Sequence, residues 1–128
     1  MTRPLDGIRV LDFTRHMAGP YGTQFLGDYG ADVIKVESLP HGDGSRQVGT
    51  AFVGDESALF LIWNRGKKSI ALDMRSPEGL EVVHRIAETV DVVFTSYRPG
   101  SQMTSESARG VVSSQRPDRL RFRHCVRA

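Results

Sequence analysis

Cysteine is nearly missing from these 128 residues: only Cys125 is present, so no disulfide can form within the chain. Long apolar runs are missing too. The longest, Ala58–Trp63, has six residues, far short of a membrane span. Met1–Gly7 is polar and carries no apolar segment, so no secretory signal is expected and the default compartment is the cytoplasm. No G-x-G-x-x-G follows the first strand-like run, and no G-x-x-x-x-G-K-[ST] occurs anywhere, which leaves the usual dinucleotide and P-loop mechanisms unsupported. The four histidines and the cysteine lack metal-ligand spacing, so no metal site is expected.

What is present is ordinary for a globular chain, with 39% hydrophobic and 25% charged residues. The length allows one modest domain. The net charge of +2 and the pI near 9.0 invite a nucleic-acid reading. The charge is unevenly placed, however. Residues 1–100 hold 11 Lys+Arg and 13 Asp+Glu, whereas residues 101–128 hold six Arg, no Lys and two acids. The basic character therefore belongs to the last 28 residues, which have only Phe122 to stack on a base and no sustained period. No nucleic-acid partner is expected, and no membrane partner.

The first hundred residues read as an α/β pattern. Ile8–Phe13 is a β-rich run, and Gly19-Pro20 opens a helix, since proline fits the first turn where its missing N–H costs nothing. Tyr21, Phe25 and Tyr29 recur every four residues and predict one apolar face, with Gly30 as the stop. Val33–Glu37 is the next strand. Strand, helix and strand in about 30 residues make a βαβ unit and imply a parallel sheet. Ser38–Glu56 is a long connection with four glycines. Within it, His41-Gly42-Asp43-Gly44 reads as a flexible turn. Ser57–Trp63 is apolar and leaves helix or strand open. Lys67–Leu72 leads into another strand. Ser76-Pro77-Glu78 starts a helix whose buried face is Leu80, Val83, Ile86, Ala87 and Val90. Asp91–Thr95 is a fourth strand.

Open α/β sheets bind ligands at the carboxyl ends of their strands. That edge collects Thr14–Ala18, Ser38–Arg46, Asp73–Arg75 and Ser96–Arg98, with His16, Arg46, Arg75 and Arg98 as its cations. Cations beside helix amides suit a phosphate-bearing ligand. The alternative, that these arginines are merely solvated, stays open at this point.

PLDGIRVLDFTRHMAGPYGTQFLGDYGADVIKVE, then NRGKKSIALDMRSPEGLEVV, then SYRPG after DVVFT, resemble in order and spacing the N-terminal portion of the class III CoA-transferases, the formyl-CoA transferase-like family. The resemblance covers about Pro4 to Gly100. The α-methylacyl-CoA racemases share this start, so a racemase-like parent and a non-catalytic CoA-binding module are the alternatives. The resemblance implies part of a Rossmann-like parallel sheet with flanking helices over residues 1–100, and an irregular, unrelated Arg/Ser-rich tail over 101–128. It implies a homodimer whose two chains interlock. It also implies transfer of CoA from an acyl-CoA to a carboxylic acid, with a coenzyme A thioester as substrate and no other cofactor. In such enzymes an aspartate forms a mixed anhydride with the acyl group, becomes a thioester, and hands CoA to the acceptor.

Carried onto this chain, the resemblance places His16, Met17 and Ala18 at the thioester end. Leu72 and Arg75 fall at the adenosine end, with Arg75 as a phosphate partner, and Ser96, Tyr97 and Arg98 border CoA. Met17 stands where relatives often have glutamine, and Ser38 where they often have a CoA-contacting arginine. The family's nucleophilic aspartate lies downstream of the RPG segment, so no catalytic residue is assigned here and the chain is expected to retain at most CoA binding. Asp118 has no family context.

The tail is expected to be a frameshift product. One codon choice for Ser101–Ala108, read in the neighbouring phase, gives Ala-Asp-Asp-Leu-Gly-Ile-Gly, which resembles the family's continuation. A sheet cut short in this way is expected to be marginally stable and poorly soluble, with apolar edges uncovered.

Overall fold

A computed structural model describes residues 2–96 and the backbone of 120–123. Its centre is a five-stranded sheet built from β1 (Arg9–Asp12), β2 (Asp32–Ser38), β5 (Lys68–Leu72), β6 (Val92–Thr95) and β7 (Leu120–Arg123), in the order β5-β2-β1-β6-β7. Every neighbouring pair is parallel. A parallel sheet has its strands covered on both faces, and β1 shows the consequence. Val10 aligns with Val33 and Val92 on one face, and Leu11 with Ile34 and Val93 on the other.

Each row of side chains has its own apolar cluster. Val10, Val33 and Val92 pack with Ala31 and Leu26, beside helix α1 (Ala18–Asp28). Leu11, Val36 and Val93 pack with Phe13, Met74, Val83, Ala87 and Val90, under helix α3 (Pro77–Ala87). The buried face predicted for α3 is the observed one, with Leu80 and Ile86 at its margins. Its start is also as predicted, since the Ser76 hydroxyl accepts from the Gly79 amide at 3.0 Å.

Helix α1 corrects one expectation. Its aromatic stripe faces outward: Tyr21, Phe25 and Tyr29 are 49%, 44% and 55% exposed, and Tyr21 and Phe25 meet edge to face. The side turned inward carries Gly19, Pro20, Thr23 and Gln24 instead. Two local demands outweigh the aromatic periodicity. Gly19 lets the helix approach so closely that a Cβ there would lie 2.4 Å from Thr14 Cβ and 3.1 Å from Ser96 Cβ. Thr23 donates from its hydroxyl to Asp12 Oδ2 at 2.6 Å. Gly30, in the left-handed region at φ 112°, stands just past the helix end as predicted.

The Ser38–Glu56 connection is more ordered than its glycines imply. It holds a 3₁₀ turn over Gly44–Gln47 and a hairpin pairing β3 (Phe52–Val53) with β4 (Glu56–Ser57). The ambiguous apolar run is helix α2 (Ala58–Asn64), capped by the Ser57 hydroxyl, which accepts from the Leu59 amide at 3.2 Å. Strand β7 lies in the segment where no strand is expected. In sequence, Leu120 and Phe122 alternate with Arg121 and Arg123, a period of two too short to register against an arginine-rich background. Among the described residues, no helix is long and apolar enough to cross a membrane.

Candidate functional site

The parallel sheet brings the ends of β1, β2, β5 and β6 to one edge. At its middle, β1 runs into the loop 13–17 and then into α1. Three consecutive amides of that loop are taken by side chains from three different segments. Thr14 N donates to Asp12 Oδ1 at 2.8 Å, Arg15 N to Ser96 Oγ at 3.3 Å, and His16 N to Asp43 Oδ1 at 3.1 Å. The Thr14 carbonyl accepts from Lys35 Nζ at 2.8 Å. His16 is left-handed at φ 65°, the one non-glycine residue in that region among those described. Such a conformation costs a residue with a side chain about 1–3 kcal/mol unless its surroundings impose it.

Two buried polar groups underlie this loop. In the first, Lys35 and Asp43 form an ion pair at 2.8 Å with both side chains 1% exposed. Asp43 Oδ1 also accepts from Ser45 N and Oγ, both at 3.0 Å. Burial pushes the Asp43 carboxyl up, but the Lys35 ammonium and the Ser45 and His16 amides outweigh it and hold it below the ordinary range. Next to it, Glu37 takes a forked contact from Arg46 at 2.8 and 2.6 Å, plus donors from Ser69 Oγ and Asp43 N. Burial raises Glu37 as well, and these donors, led by Arg46, bring it below its usual value. In the second group, Lys67 Nζ donates to Asp12 Oδ2, Pro20 O, Thr23 Oγ1 and Asn64 Oδ1 at 2.8–3.0 Å. Burial lowers the Lys67 pKa, and Asp12 opposes that only in part.

The expected site residues divide in two. His16, Met17, Ala18 and Ser96 come together: the first three are exposed on the loop and first turn of α1, and Ser96 anchors that loop from the end of β6. Leu72 ends β5 and Arg75 follows it, two strands from β1, which at about 4.8 Å per strand is roughly 10 Å away. The Leu72 side chain is half-buried and packs against the core cluster under α3. Arg75 is exposed, with its amide donating to Asp73 Oδ1 at 2.9 Å. Tyr97 and Arg98 lie outside the described residues.

Two readings of the connection are corrected. Arg46 is not a ligand-facing cation, because it is forked on Glu37, paired with Glu56 at 2.5 Å, and stacked 3.8 Å above the Phe60 ring. Nor is His41–Gly44 merely a flexible turn, since Asp43 is among the most buried side chains of the protein. Sequence reasoning missed Lys35 and Asp43. The available signal was a lysine between the valines and isoleucine of VIKVE, which needs a buried carboxylate within reach.

Chemically, this edge offers donors rather than a nucleophile. The N-cap of α1, Met17, makes no side-chain capping bond, and among the described residues no side chain accepts from the first-turn amides of Ala18 and Gly19 at this edge. Amides so placed suit carbonyl or phosphate oxygens. Asp12, Glu37 and Asp43 are each committed to an ion pair. Among the described residues, no group of three or more His, Cys, Asp or Glu side chains could hold a metal ion.

Comparison with known proteins agrees with this geometry. Residues 5–109 match the sequence profile of CoA-transferase family III. The succinyl-CoA:glutarate CoA-transferase of Homo sapiens is 47% identical over 98 residues, covering 77% of this chain and 22% of that protein. A probable fatty acyl-CoA transferase of Mycobacterium tuberculosis is 46% identical over 101 residues, covering 77% of this chain and 25% of the relative. The orthorhombic crystal structure of the M. tuberculosis protein superposes at a TM-score of 0.83 and 40% identity, over 97% of this chain and 35% of that one. The chain thus spans a quarter or less of the length of these curated relatives.

Proposed function

The chain belongs to CoA-transferase family III, and on that premise we propose that it binds a coenzyme A thioester along the carboxyl edge of its parallel sheet. The thioester end lies against His16, Met17 and Ala18. The adenosine end lies toward Leu72 and Arg75, with Ser96, Tyr97 and Arg98 beside the coenzyme. The observation that carries the reading is the fixed loop at residues 14–16, which delivers the uncapped amides of Ala18 and Gly19 to that edge. Those amides are placed to donate to the thioester carbonyl oxygen, and Arg75 to meet a phosphate.

The complete reaction, transfer of CoA from an acyl-CoA to a carboxylic acid through an aspartyl carboxylate, needs a free nucleophile. Among the described residues, the buried carboxylates at this edge, Asp12, Glu37 and Asp43, are each paired, and the role assigned to this chain is coenzyme binding without turnover. Calorimetric titration of the 128-residue chain with CoA tests the reading. Saturable 1:1 binding that weakens in Arg75→Ala is expected. Absence of binding at millimolar CoA overturns it, and transfer of CoA from succinyl-CoA to glutarate by this chain alone would overturn the assignment of no turnover.

A further inference from the structure

The geometry points to Asp43 as the residue that positions the ligand-facing loop, acting through the backbone of His16, with Lys35 fixing Asp43 in place. This inference rests on the coenzyme reading above and adds to it a group that touches no ligand.

Three observations converge. His16 holds a left-handed backbone without being glycine, and its amide donates to Asp43 Oδ1. Asp43 cannot wander, because Oδ2 pairs with Lys35 and Oδ1 is bonded to both polar groups of Ser45. Lys35 closes the circuit by donating to the Thr14 carbonyl, two residues before His16. A buried ion pair is a weak source of stability compared with an apolar pair of similar volume, so its value here is geometric. Packing adds a further restraint: a Cβ at Gly44 would lie 3.3 Å from the His16 ring, so the turn carrying Asp43 also bounds the His16 side chain. Residue 16 immediately precedes Met17 and Ala18, whose placement on the edge depends on where the loop leaves Asp43.

The test uses the whole 128-residue chain. Lys35→Met with Asp43→Ala removes both buried charges and leaves the His16 amide without its acceptor. Lys35→Met with Asp43→Asn keeps an oxygen in its place. In the alanine pair, exchange of the His16 amide is expected to quicken about tenfold, and in the asparagine pair to return close to the parent rate. CoA affinity is expected to fall about tenfold in the alanine pair, as the share of chains with a competent loop falls. In a His16→Gly background that loss should shrink to about threefold or less, because glycine takes the left-handed backbone unaided. Unchanged His16 protection, or an equal loss of affinity in both backgrounds, overturns the proposal. If the parent chain binds no CoA, the coenzyme reading fails separately, and amide protection alone decides the positioning role. Should the alanine pair fail to fold, thermal midpoints decide instead. The drop caused by Lys35→Met with Asp43→Leu, which fills the volume but offers the His16 amide no acceptor, should be smaller in the His16→Gly background, and an equal drop overturns the proposal.

Discussion

Lys67 Nζ lies 3.0 Å from Asp12 Oδ2 across 55 residues of chain, both side chains sealed from solvent, and through Pro20 O the same ammonium grips the first turn of α1. The pair joins the residue before β5 to the end of β1, so it ties the far strand to the centre of the sheet's carboxyl edge.

Lys67→Met should therefore destabilise the chain by about 3–5 kcal/mol, because it leaves the Asp12 carboxylate buried without its countercharge. Adding Asp12→Asn should recover part of that loss. Urea midpoints of the two variants against the parent check it. Burial holds the Lys67 pKa below its ordinary 10.5, so between the folded value and 10.5 the unfolded chain binds the extra proton. Stability from this group should rise as pH climbs through that window, and Lys67→Met should abolish the rise.

Asp43 and Glu37 should act in the same sense at the acid end of the scale. Both carboxyls are held below their ordinary values. Their contribution is fully present above the unfolded values near 4 and is lost as pH falls through the lower folded values. The urea midpoint should hold steady from pH 7 to about 5 and then fall below about pH 4. In Lys35→Met with Asp43→Asn, the fall should be shallower.

Two glycines on the same helix should respond with opposite signs. Gly19→Ala drives a methyl to 2.4 Å from Thr14 Cβ and 2.7 Å from Thr14 Cγ2. It should cost about 1–3 kcal/mol and displace the Ala18 amide from the ligand edge. Gly22→Ala meets nothing nearer than Phe94 Cζ at 3.9 Å and should stabilise the helix by about 0.5–1 kcal/mol. Thermal midpoints of the two variants, with CoA titration of the first, read both effects.

Arg75→Ala separates binding from folding. The side chain is exposed, so the thermal midpoint should stay within the effect of about 0.5 kcal/mol typical of a surface change. CoA affinity should fall, and its dependence on salt should weaken with the lost phosphate contact. Titrations at low and high salt measure this.

The parallel sheet and the helices α1 and α3 that flank it were legible because each rests on a local signal. Ser76-Pro77-Glu78 marks a helix start by capping chemistry, and IRVLDF and VIKVE mark strands by composition. The outward stripe of Tyr21, Phe25 and Tyr29 was illegible for a different reason. Periodicity says which residues share a face, but here Gly19 and Thr23 decide which face turns inward, and their partners, Thr14, Ser96 and Asp12, come from other elements. The same holds for Asp43 and Arg46. A Gly-rich loop reads as loose and an arginine as solvated until Lys35 and Glu37 are seen to be their partners.

Strand β1 stands in the middle of the sheet although it precedes the other four strands in sequence. One neighbour, β2, follows within a few dozen residues, but the other, β6, closes on it only when Asp91 reaches Arg9, 82 positions later. Until then one edge of this central strand stays open, and any short-lived companion with a matching strand could occupy it. Assembly is therefore paced by this late closure, which favours slow folding from distant contacts. Slowing translation before residue 92, or adding a chaperone that shields strand edges, should raise the soluble yield more than lowering the temperature after synthesis.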